Sequence, residues 1–139
     1  MFDVALKSAG AQIVLATSSD DKFPPENIID GDQETFWTTT GLFPQEFVVK
    51  FTSMMNISKV EIACCNVKKL IFEKSTDTEP LNFEHIQEKE FITGGDGQLQ
   101  TEEINLGSVQ ALHLRVIIDS AFDHFAAVYR LNVDGSPSH

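Results

Sequence analysis

The sequence is short of residues that cross-link a chain or anchor it in a membrane. Its only two cysteines, Cys64 and Cys65, are adjacent. In a strand their side chains point to opposite faces, so they are poorly placed to bridge each other, and no third cysteine is available. No apolar run approaches the roughly 20 residues of a membrane-spanning helix, and residues 1–7 lack the apolar core of a signal peptide. These absences predict a reduced, intracellular protein.

Positive charge is also scarce. The chain has ten lysines and arginines and 21 aspartates and glutamates, which gives a formal net charge of −11. Nucleic-acid binding needs basic patches that neutralise phosphate, so this balance argues against it. It also disfavours binding to anionic membranes by charge. A bound cation or a partner with a basic face is compatible with it.

Motifs for catalysis are missing as well. The four histidines lack metal-ligand spacing, and no Gly-x-Ser-x-Gly, P-loop or dinucleotide fingerprint is present. Strand alternation predicts that Cys64 faces the core and that Cys65, on the other face, is more reactive. His113 is predicted at the surface, opposite an aliphatic stripe, and His124 beside Asp123 as a contact residue. We therefore predict that the protein is not an enzyme.

Alternating apolar residues predict a β protein. With 139 residues the chain forms one domain, predicted over 1–135, with a flexible tail over 136–139. Gly-Gly-Asp-Gly at 94–97 predicts a turn. The predicted strands are 11–17, 46–51, 57–65, 67–75, 83–92, 99–106, 111–120 and 125–134. The first is predicted to be a core strand, and the last to carry Ala127, Tyr129, Leu131 and Val133 on one side. About eight strands with little helical periodicity predict an all-β, two-sheet antiparallel jelly-roll sandwich.

One stretch, 27–37, crowds oxygen donors into a turn. Its donors are Asn27, Asp30, Asp32, Glu34 and Thr35. Gly31 lies inside the turn and allows a positive φ, and hard divalent cations such as Ca²⁺ bind about 6–8 oxygens. An Asx-type turn with solvated carboxylates is the alternative. An EF-hand is excluded, because that loop would need a glycine at Thr35 and a glutamate at Gly41.

The motif Asn-x-x-Asp-Gly-Asp-x-x-Thr-x-Trp at 27–37 resembles the calcium loop of the discoidin, or galactose-binding-like, jelly-roll domains. A second part of the resemblance is Leu-Asn-Val-Asp-Gly at 131–135, which is similar to the end of the last strand in that family. The resemblance implies that Trp37 packs in the core and that one structural Ca²⁺ is bound.

The ligands that the resemblance implies come from the turn and from the last strand. They are the Asp30 carboxylate, the Thr35 hydroxyl, the Asn27 and Asp32 carbonyls and the carbonyl of Val128 or its neighbour Tyr129. The family often has a glutamate shortly after this last position, where the present chain has Arg130. One anionic ligand is therefore missing.

The whole chain is also similar to the small jelly-roll subunits of intraflagellar transport complex B, which are also classified with the small heat-shock proteins. This implies a non-catalytic docking role in the cytoplasm and cilium, as a heterodimer with a Rab-like small GTPase and among other complex B subunits. A lectin-like module, stacking sugars on Phe23 or Phe43, is one alternative. A stress-related chaperone is another, although no α-crystallin pattern is present.

The partner surface is predicted in two loops, 38–44 and 119–125. The resemblance brings both to the end of the domain that carries the calcium turn, and function usually resides in loops. Leu42, Phe43 and Phe122 are their candidate apolar anchors, because interface cores favour such residues over charge. The alternative is that all three pack on their own domain.

Overall fold

The computed structural model describes residues 2–19, 21–32, 34–92 and 98–138, with the Phe2 side chain left out. The described chain is almost entirely antiparallel strand. The strands are β1 (Phe2–Asp3), β2 (Gln12–Ala16), β3 (Trp37–Thr38), β4 (Gln45–Cys65), β5 (Val67–Ser75), β6 (Glu84–Glu90), β7 (Leu99–Ala121) and β8 (Ala127–Pro137). Two short 3₁₀ helices, Lys7–Ala9 and Pro25–Ile29, flank β2. No helix in these residues is long and apolar enough to cross a bilayer.

Two long strands, β4 and β7, build both layers of a sandwich. The start of β4 pairs with the end of β7, and its second half, from Met55, pairs with the start of β7. The register shifts between Lys50 and Met55, where the ribbon bends. Strands β2, β5 and β6 extend the first layer, and β1, β3 and β8 extend the second. The buried cluster draws apolar side chains from both halves, which confirms the predicted all-β jelly roll.

The predicted strand boundaries differ from the observed ones in a systematic way. Strand β5 has the predicted bounds, but 46–51 and 57–65 are halves of β4, and 99–106 and 111–120 are halves of β7. The pairing of β4 with β7 shifts register between these halves, and Gly107 has a positive φ of 80°, but each strand continues through the irregularity. The two-residue strands β1 and β3 are too short to show alternation.

Strand β2 is an edge strand, whereas the sequence predicted a core strand there. It pairs only with β4 within the described residues. Val14 and Leu15 are 40% and 44% exposed, and the register shifts between Ile13 and Leu15. The bulge turns these apolar side chains away from the core.

The last strand, β8, extends to Pro137, whereas the sequence predicts its end at residue 134. Ser136 and Pro137 pair with Asn56 and Met55, and the Ser138 N–H donates to the Met54 carbonyl at 2.9 Å. Residues 136–138, where the sequence predicts a flexible tail, therefore lie beside β4. The predicted turn at 94–97 and the last residue lie outside the described residues.

Candidate functional site

The oxygen-rich turn is fixed at both ends by buried residues. Before it, the second 3₁₀ helix buries Ile28 and Ile29 completely or nearly so. After it, Trp37 is fully buried and its Nε1–H donates to the Ser18 carbonyl at 2.9 Å. The Trp37 ring also meets Phe47 edge-on at 5.5 Å. The core position expected for Trp37 is confirmed.

Inside the turn, Asp30, Asp32 and Thr35 converge. Asp30 Oδ1 accepts the Asp32 N–H at 2.9 Å, and Asp32 Oδ1 accepts the Glu34 N–H at 2.8 Å, which gives two successive Asx-type turns. The Thr35 hydroxyl donates to Asp30 Oδ2 at 2.6 Å and lies 3.3 Å from the Asp32 carbonyl oxygen. Gly31 has a φ of 79°, which its missing Cβ allows. One carboxylate, one hydroxyl and one carbonyl are thus gathered together.

The other two predicted ligand residues border this cluster. The Asn27 side chain donates from Nδ2 to the Phe36 carbonyl at 3.0 Å and closes the loop. Val128 pairs with Trp37 across β3 and β8, which brings the last strand alongside the turn. Arg130, which lies where the family often has a glutamate, donates to Glu61 on β4 at 2.9 Å.

The donor chemistry of this cluster fits a hard cation, because all the converging atoms are oxygens. In the described ranges, no group of three or more His, Cys, Asp or Glu side chains is arranged to hold a metal. A cation would therefore depend on the Asp30 carboxylate, with neutral oxygens completing its shell.

Along β8, the alternation between side chains that face the core and side chains that face outward changes at Tyr129, contrary to the prediction. The sequence predicted Tyr129 on the same side as Leu131 and Val133. The register shifts where Ala63 and Cys64 face this strand, so one extra residue is accommodated there. Val128 is consequently fully buried, and Tyr129 is only partly buried.

Tyr129 joins an aromatic stack that bears on sugar binding. Phe23 stacks on Phe36 with ring centroids 4.5 Å apart, and Phe36 contacts Tyr129 at 4.9 Å. Phe43, the other candidate for a sugar platform, packs against the core. Each of these rings thus has an aromatic or core neighbour.

Hydrogen bonds hold the first predicted partner loop beside Ala126, the residue that follows the second loop. The Thr39 N–H donates to the Ala126 carbonyl at 2.9 Å, and the Ala126 N–H donates to Thr39 Oγ1 at 2.9 Å. Gln45 Nε2 donates to the Thr40 and Leu42 carbonyls, at 2.9 and 2.7 Å, and fixes the backbone of the first loop. The expectation that both loops share one end of the domain is consistent with these contacts.

The three predicted anchors differ in exposure. Leu42 is 90% exposed, Phe43 is partly buried against the core, and Phe122 is partly buried, with its N–H bonded to the Asn66 carbonyl at 2.8 Å. Phe125, which the sequence analysis did not single out, is 45% exposed in the second loop. Leu42 and Phe125 are therefore the more open apolar residues here.

His113 is fully buried, so its predicted surface position is wrong. Neither ring nitrogen has a hydrogen-bond partner. Burial, followed by the nearby charge of Lys50, lowers the pKa of His113 below its ordinary 6.5. The outer face of this layer is covered at His113, which strand alternation could not reveal.

The cysteines form no disulfide. Cys64 is fully buried, as predicted, and its thiol donates to Gln100 Oε1 at 3.6 Å. Burial, reinforced by Cys65 and Glu102, raises the pKa of Cys64 to about 12. Cys65 is 9% exposed, so it is also shielded from solvent.

Comparison with known proteins identifies the family. The F5/8 type C domain family matches residues 13–131. Over 134 residues the chain is 51% identical to the human protein named intraflagellar transport protein 25 homolog, covering 96% of this chain and 92% of the relative. It is 42% identical to intraflagellar transport protein 25 of Chlamydomonas reinhardtii, covering 97% of this chain and 70% of the relative. The chain belongs to the F5/8 type C domain family and, within it, to the intraflagellar transport protein 25 family.

Solved structures support the fold independently. One is the family 32 carbohydrate-binding module of Clostridium perfringens NanJ in complex with galactose. It superposes with a TM-score of 0.78 at 17% identity, and the alignment covers 94% of this chain and 97% of the module. This chain thus has the two-layer fold of such modules.

Proposed function

We propose that this chain is a non-catalytic docking subunit of the intraflagellar transport machinery, acting in the cytoplasm and cilium. The observation that carries the proposal is the 51% identity to the human intraflagellar transport protein 25 homolog, sustained over 96% of the chain. Its partners are other complex B subunits and a Rab-like small GTPase, with which it forms a heterodimer.

The loops 38–44 and 119–125 are the surface that we assign to the GTPase. A hydrogen-bonded backbone presents Leu42 almost fully to solvent, and Phe125 is exposed in the second loop. Rigid loops that display apolar side chains lose little entropy on binding. Phe43 and Phe122 support this surface from partly buried positions.

Size-exclusion chromatography with the Rab-like GTPase tests the surface. We expect the wild-type chain to co-elute with it, and Leu42→Asp to weaken the complex at least tenfold, because a carboxylate would be desolvated in an apolar contact. Ile92→Asp is the matched control, since Ile92 is 94% exposed elsewhere and its substitution should leave co-elution unchanged. A folded Leu42→Asp variant that binds normally would place the interface elsewhere. Failure of the wild-type chain to co-elute would contradict the docking role itself.

We also propose that the 27–37 turn binds Ca²⁺ as a structural ion. Asp30 would supply the carboxylate, Thr35 its hydroxyl, Asn27 and Asp32 carbonyls, and Val128 a carbonyl from β8. The convergence of Asp30, Asp32 and Thr35 supports this assignment. Such an ion would join the turn to the last strand and stabilise the fold.

Thermal unfolding with Ca²⁺ and with a chelator tests the ion. A ligand at 100 times its Kd stabilises the fold by about 2.7 kcal/mol, which is several degrees in Tm for a domain of this size. Asp30→Asn removes the charge and should abolish the difference, whereas Asp119→Asn, at an exposed position outside the turn, should retain it. Identical melting of the wild-type protein in both conditions would refute the calcium assignment and leave the docking role standing.

A further inference from the structure

A buried glutamine lies beneath the tip of the 38–44 loop. Gln45 is the first residue of β4 and is only 5% exposed. It lies on the same side of the strand as Phe47, which belongs to the core. An apolar side chain is the usual occupant of such a position. A polar side chain remains buried there only when its donors and acceptors are bonded, so the partners of Gln45 indicate its role.

The side-chain amide of Gln45 makes all the hydrogen bonds that its two acceptor lone pairs and two N–H groups allow. Its Oε1 accepts from the hydroxyls of Thr17 and Ser18, both at 2.6 Å. Its Nε2 donates to the carbonyls of Thr40 and Leu42, at 2.9 and 2.7 Å. Because hydroxyls face Oε1 and carbonyls face Nε2, the amide fits in one orientation. Gln45 therefore joins the residues that follow β2 to the loop that precedes β4.

Ser18 provides a second link to the same loop. Its hydroxyl oxygen accepts the Thr40 N–H at 2.8 Å, its carbonyl accepts the Trp37 Nε1–H at 2.9 Å, and it is 2% exposed. Among the described residues, every hydrogen bond to the backbone of 40–44 comes from Gln45 or Ser18. The shape of this loop tip therefore depends on two buried side chains that a partner protein cannot touch.

We propose that Gln45 is a positioning residue for the GTPase, because it holds the loop tip at 40–44 in the conformation that the partner binds. The inference rests on the heterodimer proposed above. Leu42 is 90% exposed, so its place at the surface is set by the backbone beneath it. Without the two N–H groups of Gln45, the carbonyls of Thr40 and Leu42 turn to water and the tip samples other conformations. The apparent affinity then falls in proportion to the fraction of chains in the binding conformation.

Nuclear magnetic resonance relaxation of the free chain tests the effect on the loop. Gln45→Met keeps the length of the side chain but removes its donors and acceptor, and Ser18→Ala removes one hydroxyl. We expect backbone order parameters over residues 40–43 of about 0.85 in the wild-type chain and below about 0.6 in Gln45→Met. Ser18→Ala should lower them less, since the bonds from Gln45 Nε2 remain.

Isothermal titration calorimetry with the Rab-like GTPase tests the effect on binding. Gln45→Met should weaken the complex at least fivefold, and Ser18→Ala should weaken it less. Gly135→Ala is the matched control. A Cβ at Gly135 would lie 2.9 Å from the Asn56 carbonyl oxygen, so this variant strains the fold towards the other end of β8 from Ala127 and should bind like wild type.

The outcomes separate the inference from the proposed function. Unchanged order parameters in both buried variants would overturn the inference, and so would wild-type affinity in a variant whose loop tip has loosened. An equal loss of affinity in Gly135→Ala would show that binding follows overall stability, which also contradicts a positioning role. If the wild-type chain does not bind the GTPase, the docking role fails and the inference fails with it, whatever the order parameters of the free chain.

Discussion

His113 is the residue whose environment departs most from its position in the strand pattern. It is fully buried on β7, with both ring nitrogens unbonded. Burial and the charge of Lys50 lower its pKa, so the fold holds it neutral. Protonation is easier in the unfolded chain, where the pKa is near 6.5.

This predicts a loss of stability on acidification. Below pH 6.5 the unfolded state binds a proton that the folded state resists, so the free energy of unfolding falls as pH falls, until the lowered folded pKa is reached. The contribution of one proton is at most about 1.4 kcal/mol per pH unit. Urea unfolding of wild type and His113→Leu between pH 7.5 and 5.5 measures it. The variant should lose part of the slope.

His124→Gln is the control for that experiment. His124 is exposed, so its replacement removes a histidine without disturbing the core around His113. Equal slopes for wild type and His113→Leu would show that His113 is protonated as readily in the folded chain as in the unfolded one.

At the scale of single elements, the last strand carries a close contact at Gly135. This residue pairs with Ile57 on β4 and with Phe2 on β1, so it lies between two strands. A Cβ there would lie 2.9 Å from the Asn56 carbonyl oxygen and 3.1 Å from a Val4 methyl carbon. Close packing thus explains the glycine at the end of the stretch 131–135, which resembles the last strand of the family.

Gly135→Ala should therefore destabilise the protein. Overpacking of this kind costs about 1–3 kcal/mol, because the clash involves backbone that cannot easily move. Chemical denaturation of Gly135→Ala beside Ser136→Ala checks this, since the second variant deletes only a hydroxyl on the next residue. Wild-type stability of Gly135→Ala would mean that β1 or β4 shifts without cost.

The elements also mark how far the sequence could predict the structure. Strong alternation gave the bounds of β5 and the jelly-roll class, and the motif at 27–37 indicated the convergence of Asp30 and Thr35. Alternation could not reveal the bulges at Val14 and Tyr129, since a bulge depends on the partner strand. The burial of His113 likewise depends on what covers the sheet, which local sequence does not encode.

For the molecule as a whole, we expect the net charge of −11 to determine how stability depends on salt. The described ion pairs range from Lys59 with Glu103, at 38% and 58% exposure, to Arg115 with Glu73, at 28% and 19%. The more exposed of these pairs contribute about 0–1 kcal/mol each. Uncompensated carboxylates repel one another throughout the fold and favour the expanded state. We expect the repulsion to exceed the sum of the local attractions.

Salt should consequently stabilise this protein. Raising NaCl from 10 to 100 mM shortens the Debye length from about 30 to about 10 Å, which screens repulsion across the domain more than contacts at 3–4 Å. We expect Tm, measured with chelator present, to rise by a few degrees. Lys68→Glu, at an exposed lysine, should lower Tm at 10 mM salt and have a smaller effect at 100 mM. A Tm that falls as salt rises would mean that ion pairs such as Lys59–Asp134 and Arg130–Glu61 outweigh the repulsion.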